Sequence, residues 1–578
     1  MLAMDETLGI LVPVVAAILA LGLAVTTAGL GEHLGVSDAI GAFMIGLILG
    51  SGRAGVRYIK ADGDTLTLSQ RIAHHHAASW ATIRAAADHQ TELLREFGKY
   101  YADARQQPRG RYKTFVVSGP AERLAPLTDY LRQQQIQFGY AGEKRKMRAY
   151  NYASGREEAV ELKAEDVVVS MYQPKSTLVK VLFEPQSALE DSLTYDITAW
   201  SLPYAYGLQG YALTTKLSAK AGTRTNNEQP KTNTEQPATP YAYIARWNSL
   251  RDARLLAALL QRQIRVRVAY QPFEAGGRQF QPGSLILTRG TNEGLGRRFD
   301  AVVRQLADSV GAELTAVQTG FATSGSDLGS SNVHGVGRPN VAVLAGTGVD
   351  PTAFGEVWHF FEQQLGYPVT VLGTDYFGAV PLTRFDVLIL PDGSYADALS
   401  ERQLDNLKTW VRAGGRLIAL EGAMSYLAGK KDFALKTKAP DTTRSRKPEA
   451  PRPLRRYAAA ERESLQDLVQ GSVYPVQLDN THPLAFGYGE TYYALVRNPL
   501  NYQYLGEGSW NVGVLRRGQA AAGFTGSQAR RKLNDTVVLG VQEMGRGQVI
   551  YLGDNPLFRG FWHAGKLLFS NAVFFVGQ

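Results

Sequence analysis

The sequence predicts an α/β protein in three parts: an N-terminal transmembrane hairpin, two small repeated α/β modules and a C-terminal doubly wound domain. Three observations carry this expectation. Two uncharged runs, Leu8–Ala28 and Ala39–Gly52, fill most of the first 52 residues. A strand–helix–strand pattern around Phe115 returns 128 residues later. Strands then alternate with helices from Val341 to Leu420, the rhythm of a parallel sheet.

Leu8–Ala28 is 21 residues long, enough to cross a hydrocarbon layer about 30 Å thick. Asp5 and Glu6 precede it where a cleaved signal carries basic residues. Arg53, Arg57 and Lys60 after the second run favour a cytoplasmic end. The transmembrane segment is therefore set at 1–52, and a terminal strand and helix at 53–108. Within the latter, Leu68–Tyr101 has helical spacing. His74, His75 and His76 on it point in three directions and cannot share one ion.

The repeat sets one module at 109–213 and a second at 241–335. Tyr243, Ile244, Leu255, Leu259, Ile264 and Val266 match Phe115, Val116, Leu127, Leu131, Ile136 and Phe138. Both copies continue to an apolar strand, Val167–Val169 and Leu285–Leu287. The polar stretch between them, with Asn226-Asn227-Glu228-Gln229-Pro230, reads as a flexible linker at 214–240. The third module, 336–578, has strands at Val341–Leu344, Val369–Leu372, Phe385–Leu390 and Arg416–Leu420, and helices at Pro351–Leu365 and Ser400–Arg412.

The composition is globular, with 44% hydrophobic and 20% charged residues. There is no cysteine, which excludes disulfides, thiolate metal sites and a cysteine nucleophile. The net charge of +9 is concentrated in a basic loop at 429–460, where ten Lys and Arg stand against three acidic residues. The remainder is close to neutral, so no nucleic-acid partner is expected.

Ligands of doubly wound sheets sit beyond the carboxyl ends of the strands. That rim gathers Gly346, Asp392 and Glu421, with Asp554 from the last strand. Glu356 and His359, three apart on one helix face, have a spacing that can share a metal; local capping or hydrogen bonding is the alternative. Arg559 and His563 join Asp554 either in a rim pocket or in a buried ion pair. No metal ligand set and no catalytic residue is assigned.

Two resemblances add to this reading. Gly35–Gly50 resembles one transmembrane hairpin of the cation:proton antiporter family, in which many spans are needed for transport. The runs Gly63–Thr67, Asp191–Trp200, Gly355–His359 and Asp554–Trp562 resemble the C-terminal half of bacterial zinc carboxypeptidase-family proteins, across about residues 51–578. In that family a zinc peptidase domain precedes small α/β modules and a class I glutamine amidotransferase-like domain. The resemblance implies a His-x-x-Glu motif and a later His as zinc ligands. His33 is the only histidine in the first 73 residues, so no cofactor is expected, zinc belonging to the complete gene form. The amidotransferase resemblance implies a cysteine at the turn Ala419–Met424, where this chain has Glu421; Ser425 falls past the turn.

The resulting expectation is a membrane-tethered, catalytically inactive remnant whose modules bind or scaffold peptide or cell-envelope material. The family resemblance places its body in the periplasm, the charge rule in the cytoplasm. The alternatives are a zinc metallocarboxypeptidase in the complete gene form, an enzyme using Glu356, His359 and the rim acids, and an antiporter-related membrane protein.

Overall fold

A computed structural model describes residues 58–59, 65–186, 197–220, 239–438, 457, 460–516 and 520–577. The hairpin expected at 1–52, most of the linker and basic loop, and Asp191–Asp196 of one family-like run lie outside the described residues. Among the described residues no helix is long and apolar enough to cross a membrane, which corrects the transmembrane and membrane-localisation expectations. The longest described helix, Leu68–Asp88, shows why. It carries Arg71, His74, His75, His76, Arg84 and Asp88, too much polarity for a hydrocarbon core.

The chain forms two units, 1–101 and 102–578. In the first, Thr67 and Gln70 form a capping box that starts Leu68–Asp88. The single helix expected to Tyr101 breaks at His89 (φ −106°, ψ 17°), and a second helix runs Gln90–Gln106. Leu68–Asp88 buries none of its side chains.

In the second unit the described strands form three main sheets. The first has the order Gly139–Tyr140, Val167–Ser170, Thr114–Ser118, Gln209–Leu213, Arg145–Asn151, Arg156–Leu162, all antiparallel. The second has the order Thr315–Val317, Ala242–Ala245, Leu285–Thr288, Val266–Ala269, Val333–Val336. In both, the strand before the long helix pairs antiparallel with the later apolar strand of its module, Thr114–Ser118 with Val167–Ser170 and Ala242–Ala245 with Leu285–Thr288. The helices Ala121–Gln133 and Leu250–Gln261 bury Leu127 and Leu131, and Leu255 and Leu259, at helical spacing.

The third sheet has nine strands. Five are parallel, in the order Val369–Gly373, Val341–Ala345, Val387–Leu390, Arg416–Leu420, Gly547–Leu552. Their near-continuous Val, Ile and Leu content is what burial on both faces requires. Four antiparallel strands extend the sheet: Thr536–Met544, Ser509–Leu515, Ser472–Leu478 and Thr491–Val496. The parallel order runs 2-1-3-4-5, which puts the topological switch point between Val341–Ala345 and Val387–Leu390. The helix expected at Pro351–Leu365 is capped by Asp350 and widens into a π turn over Phe360–Leu365, ending at left-handed Gly366.

The last helix, His563–Phe574, ties the unit together. Every residue from Ala564 to Phe574 is buried, including the polar Lys566, Ser570 and Asn571. Asn571 satisfies its whole amide. Its Oδ1 accepts from Trp247 Nε1 at 2.7 Å, and its Nδ2 donates to the Leu484 and Phe486 carbonyls at 3.0 and 2.8 Å. Buried Arg416 donates to the Val573 and Val576 carbonyls at 2.9 and 3.0 Å, a cation at the helix C-terminus. Replacing Asn571 by Ala strands one buried donor and two acceptors. The Asn571→Ala variant is expected to lose on the order of 3 kcal/mol of unfolding free energy, measured by urea denaturation; a loss below about 1 kcal/mol contradicts this role.

Candidate functional site at the sheet rim and module junction

Three loops leave the carboxyl ends of the parallel strands beside the switch point, and they pack backbone against backbone. A Cβ on Gly422 would collide with the Gly393 carbonyl and lie 2.6 Å from Asp392 Oδ1. Only glycine allows this approach. It lets Asp392 Oδ1 accept the Gly422 N–H at 2.9 Å.

Glu421, immediately before Gly422, has φ +41° and ψ −102°, a strained conformation for a residue with a Cβ. It stands on a sharp strand-to-helix turn, between Arg416–Leu420 and Gly422–Leu427. Such a turn thrusts one side chain out over the sheet, and in many hydrolases that side chain is a nucleophile. Here it is a carboxylate whose two oxygens are both engaged by Arg497. Arg497 Nε donates to Oε1 at 3.1 Å and Nη2 donates to Oε2. The same Nη2 reaches Asp392 Oδ2 at 3.2 Å. Burial pushes the Glu421 carboxyl up to about 7, with the Arg497 guanidinium pulling against that rise. A bidentate pair with a cation takes one lone pair from each oxygen and lowers the carboxylate's basicity, which disfavours attack and proton abstraction.

Beside this clamp, Glu356 accepts from Asn555 Nδ2 at 2.5 Å and from the Arg559 backbone N–H at 2.6 Å. It therefore anchors the segment that leads into the last helix, and burial raises its carboxyl. Arg559 is held at φ +48°, with its guanidinium over the Phe558 ring. Asp554 is fully buried; its Oδ2 accepts from Tyr492 OH at 2.6 Å, and burial pushes it up to about 6.

On the other side of Tyr492 lies a cavity of about 520 Å³ between the first sheet, the third sheet and the start of the helix Leu250–Gln261. Tyr152, Tyr206, Tyr488, Tyr493 and His563 contribute aromatic walls. His563 stacks on Tyr206 with centroids 4.4 Å apart, and burial pushes its imidazole down to about 3. Its ring nitrogens lie 3.3 and 3.4 Å from Lys566 Nζ, an amine that burial pushes down to about 7.

The rim residues named from the sequence thus separate. Asp392 and Glu421 come together on one arginine. Glu356 and Arg559 join each other through a backbone hydrogen bond. Gly346, at φ +104°, packs against Thr374 in the loop after Val341–Ala345. His359 is exposed, with Nδ1 3.2 Å from Gln364 Nε2. No group of three or more His, Asp or Glu that could hold a metal occurs among the described residues. His563 faces the junction cavity instead of the rim. Sequence reasoning missed Arg497, which follows the edge strand Thr491–Val496 and has no periodic or motif signal.

Two outcomes follow. Arg497→Met leaves Glu421 and Asp392 without their cation, a loss of about 3–5 kcal/mol. Folded Glu421 already binds a proton more readily than its unfolded form, so its stability contribution falls as pH rises from 4.5 to about 7. Without Arg497 that window extends upward, so chemical denaturation is expected to show a deficit larger at pH 8 than at pH 5; a pH-independent deficit contradicts the clamp. For Lys566 the folded value near 7 lies below the unfolded 10.5, so the unfolded chain binds more protons between them. Lys566→Met is therefore expected to raise Tm most below pH 7 and progressively less towards pH 10. A Tm gain that is flat across that range contradicts a buried amine.

No protein-family model matches the sequence, and no curated protein matches it. Solved structures similar to the chain include glutamine amidotransferase-like proteins. One is described as a GMP synthase subunit from Thermoplasma acidophilum, at 11% identity, covering 41% of this chain and 92% of that chain, with a TM-score of 0.26. Another is a glutamine amidotransferase from Thermotoga maritima, at 9% identity, covering 38% and 76%, with a TM-score of 0.23. A beta-galactosidase from Rahnella sp. R3 is similar at 14% identity over 48% of this chain and 34% of that chain, with a TM-score of 0.25. The fold rests on the strand order itself, not on these scores.

Proposed function

We propose that residues 102–578 act by binding rather than turnover, as a non-catalytic derivative of a zinc carboxypeptidase-like protein whose last module is amidotransferase-like. The long runs Gly355–His359 and Asp554–Trp562 support that descent. The observation that carries the non-catalytic reading is the clamp at the turn: the residue in the nucleophile position is Glu421, and both its oxygens are taken by Arg497. The chain has no cysteine to serve there instead. Ser425, the nearest hydroxyl, lies 2.6 Å from Tyr502 OH and donates to the Glu421 carbonyl at 3.2 Å, with no imidazole partner among the described residues. The modules are then free to serve as binding or scaffolding elements for peptide or cell-envelope material.

The test is turnover by the purified full chain. Glutamine hydrolysis, ester hydrolysis and release of a C-terminal residue from a blocked dipeptide are expected to stay at the buffer rate, with and without added zinc. Any of these activities above background, abolished in Glu421→Gln or by a chelator, overturns the proposal.

A further inference from the structure

The junction cavity has a volume suited to a small ligand and lies between modules, where such sites concentrate. Its lining holds polar groups that the fold leaves unsatisfied. Asn248 uses its Nδ2 on Glu122 Oε1 at 2.6 Å, which fixes the orientation of the amide and leaves Oδ1 as the acceptor. That Oδ1 is buried and has no hydrogen-bond partner among the described residues. Three residues on, in the first turn of Leu250–Gln261, Arg251 Nε is also buried without a hydrogen bond; Asp252 Oδ1, at 3.5 Å, gives it an ion pair only. Both atoms are sealed from the open space of the cavity, so a ligand meets the exposed part of the lining, which includes the Arg251 side chain at 30% exposure.

The charges agree. Arg123, Arg251 and Arg254 line the cavity together with Glu122 and Glu490. Arg123 spends Nε and Nη2 on the Asn248 and Gly487 carbonyls, both at 2.6 Å, and neither it nor Arg254 pairs with a carboxylate among the described residues. A simple anion would meet the two acids, and a simple cation would meet three guanidiniums. A zwitterion suits both.

We infer that the junction cavity binds an amino acid or the end of a short peptide, with its carboxylate on Arg251 and Arg254, its amine on Glu122 and Glu490, and its side chain among the tyrosines. This deepens the binding reading above and rests on it.

The test is calorimetric titration of the full chain with glycyl-phenylalanine, its C-terminal amide and 3-phenylpropionate, alongside an assay for released phenylalanine. The dipeptide is expected to bind. The amide, which lacks the carboxylate, and 3-phenylpropionate, which lacks the amine, are each expected to bind at least about tenfold more weakly. Arg254→Gln, at an exposed position, and Arg251→Gln are each expected to weaken the dipeptide by a similar factor with unchanged unliganded unfolding. If Arg251→Gln does not fold, the exposed variant and the ligand series still decide. No dipeptide binding, equal binding of the amide, or an unaffected Arg254→Gln overturns the inference. Binding accompanied by phenylalanine release upholds the cavity and overturns the non-catalytic reading instead.

Discussion

The second unit depends on burying one helix with three polar side chains still inside it. His563–Phe574 is apolar nearly all round, as a helix must be when sheet strands and helices cover every face. Its polar residues therefore become joints. Asn571 hands its hydrogen bonds to Trp247, beside the second sheet, and to the Leu484–Phe486 turn of the third. Arg416 at the start of a central strand closes the helix C-terminus. The first sheet joins through Tyr206, stacked on His563.

That burial places the two polar regions of the unit. The segment Asp554–Arg559, held by Glu356, delivers the chain to the helix from the sheet rim. The first turn of the helix, through His563, Ala564 and Leu567, floors the junction cavity. Tyr492 links the two: it is one of the residues that line the cavity, and its hydroxyl donates to Asp554. The two regions differ in how their charges are met. At the turn, Arg497 pairs with Glu421 and Asp392 together. In the cavity, Arg254 has no carboxylate partner among the described residues, although Glu122 and Glu490 line the same space.

Much of the fold was legible because it is periodic. The strand runs Val341–Leu344 and Arg416–Leu420, and the paired leucines of the repeated helices, follow from burial alone. Glu421 and Asp392 were legible because the ends of parallel strands are fixed once the strands are. Arg497 was not, since it reaches the rim from the far antiparallel edge, and no local pattern records a contact across 76 residues. The cavity was equally hidden, because residues near 123, 251 and 490 converge only in three dimensions. The break at His89 and the π turn after His359 are choices between nearly equal backbone geometries, which helical spacing does not resolve. The membrane expectation rested on 1–52, and the described helices give it no support.

The most direct measurement is a crystal structure of the full chain grown with glycyl-phenylalanine. The account predicts the dipeptide in the junction cavity, with its carboxylate on Arg251 and Arg254, its amine on Glu122 and Glu490, and the Glu421–Arg497 clamp closed. A dipeptide seated on an opened Glu421, with the cavity empty, would contradict it.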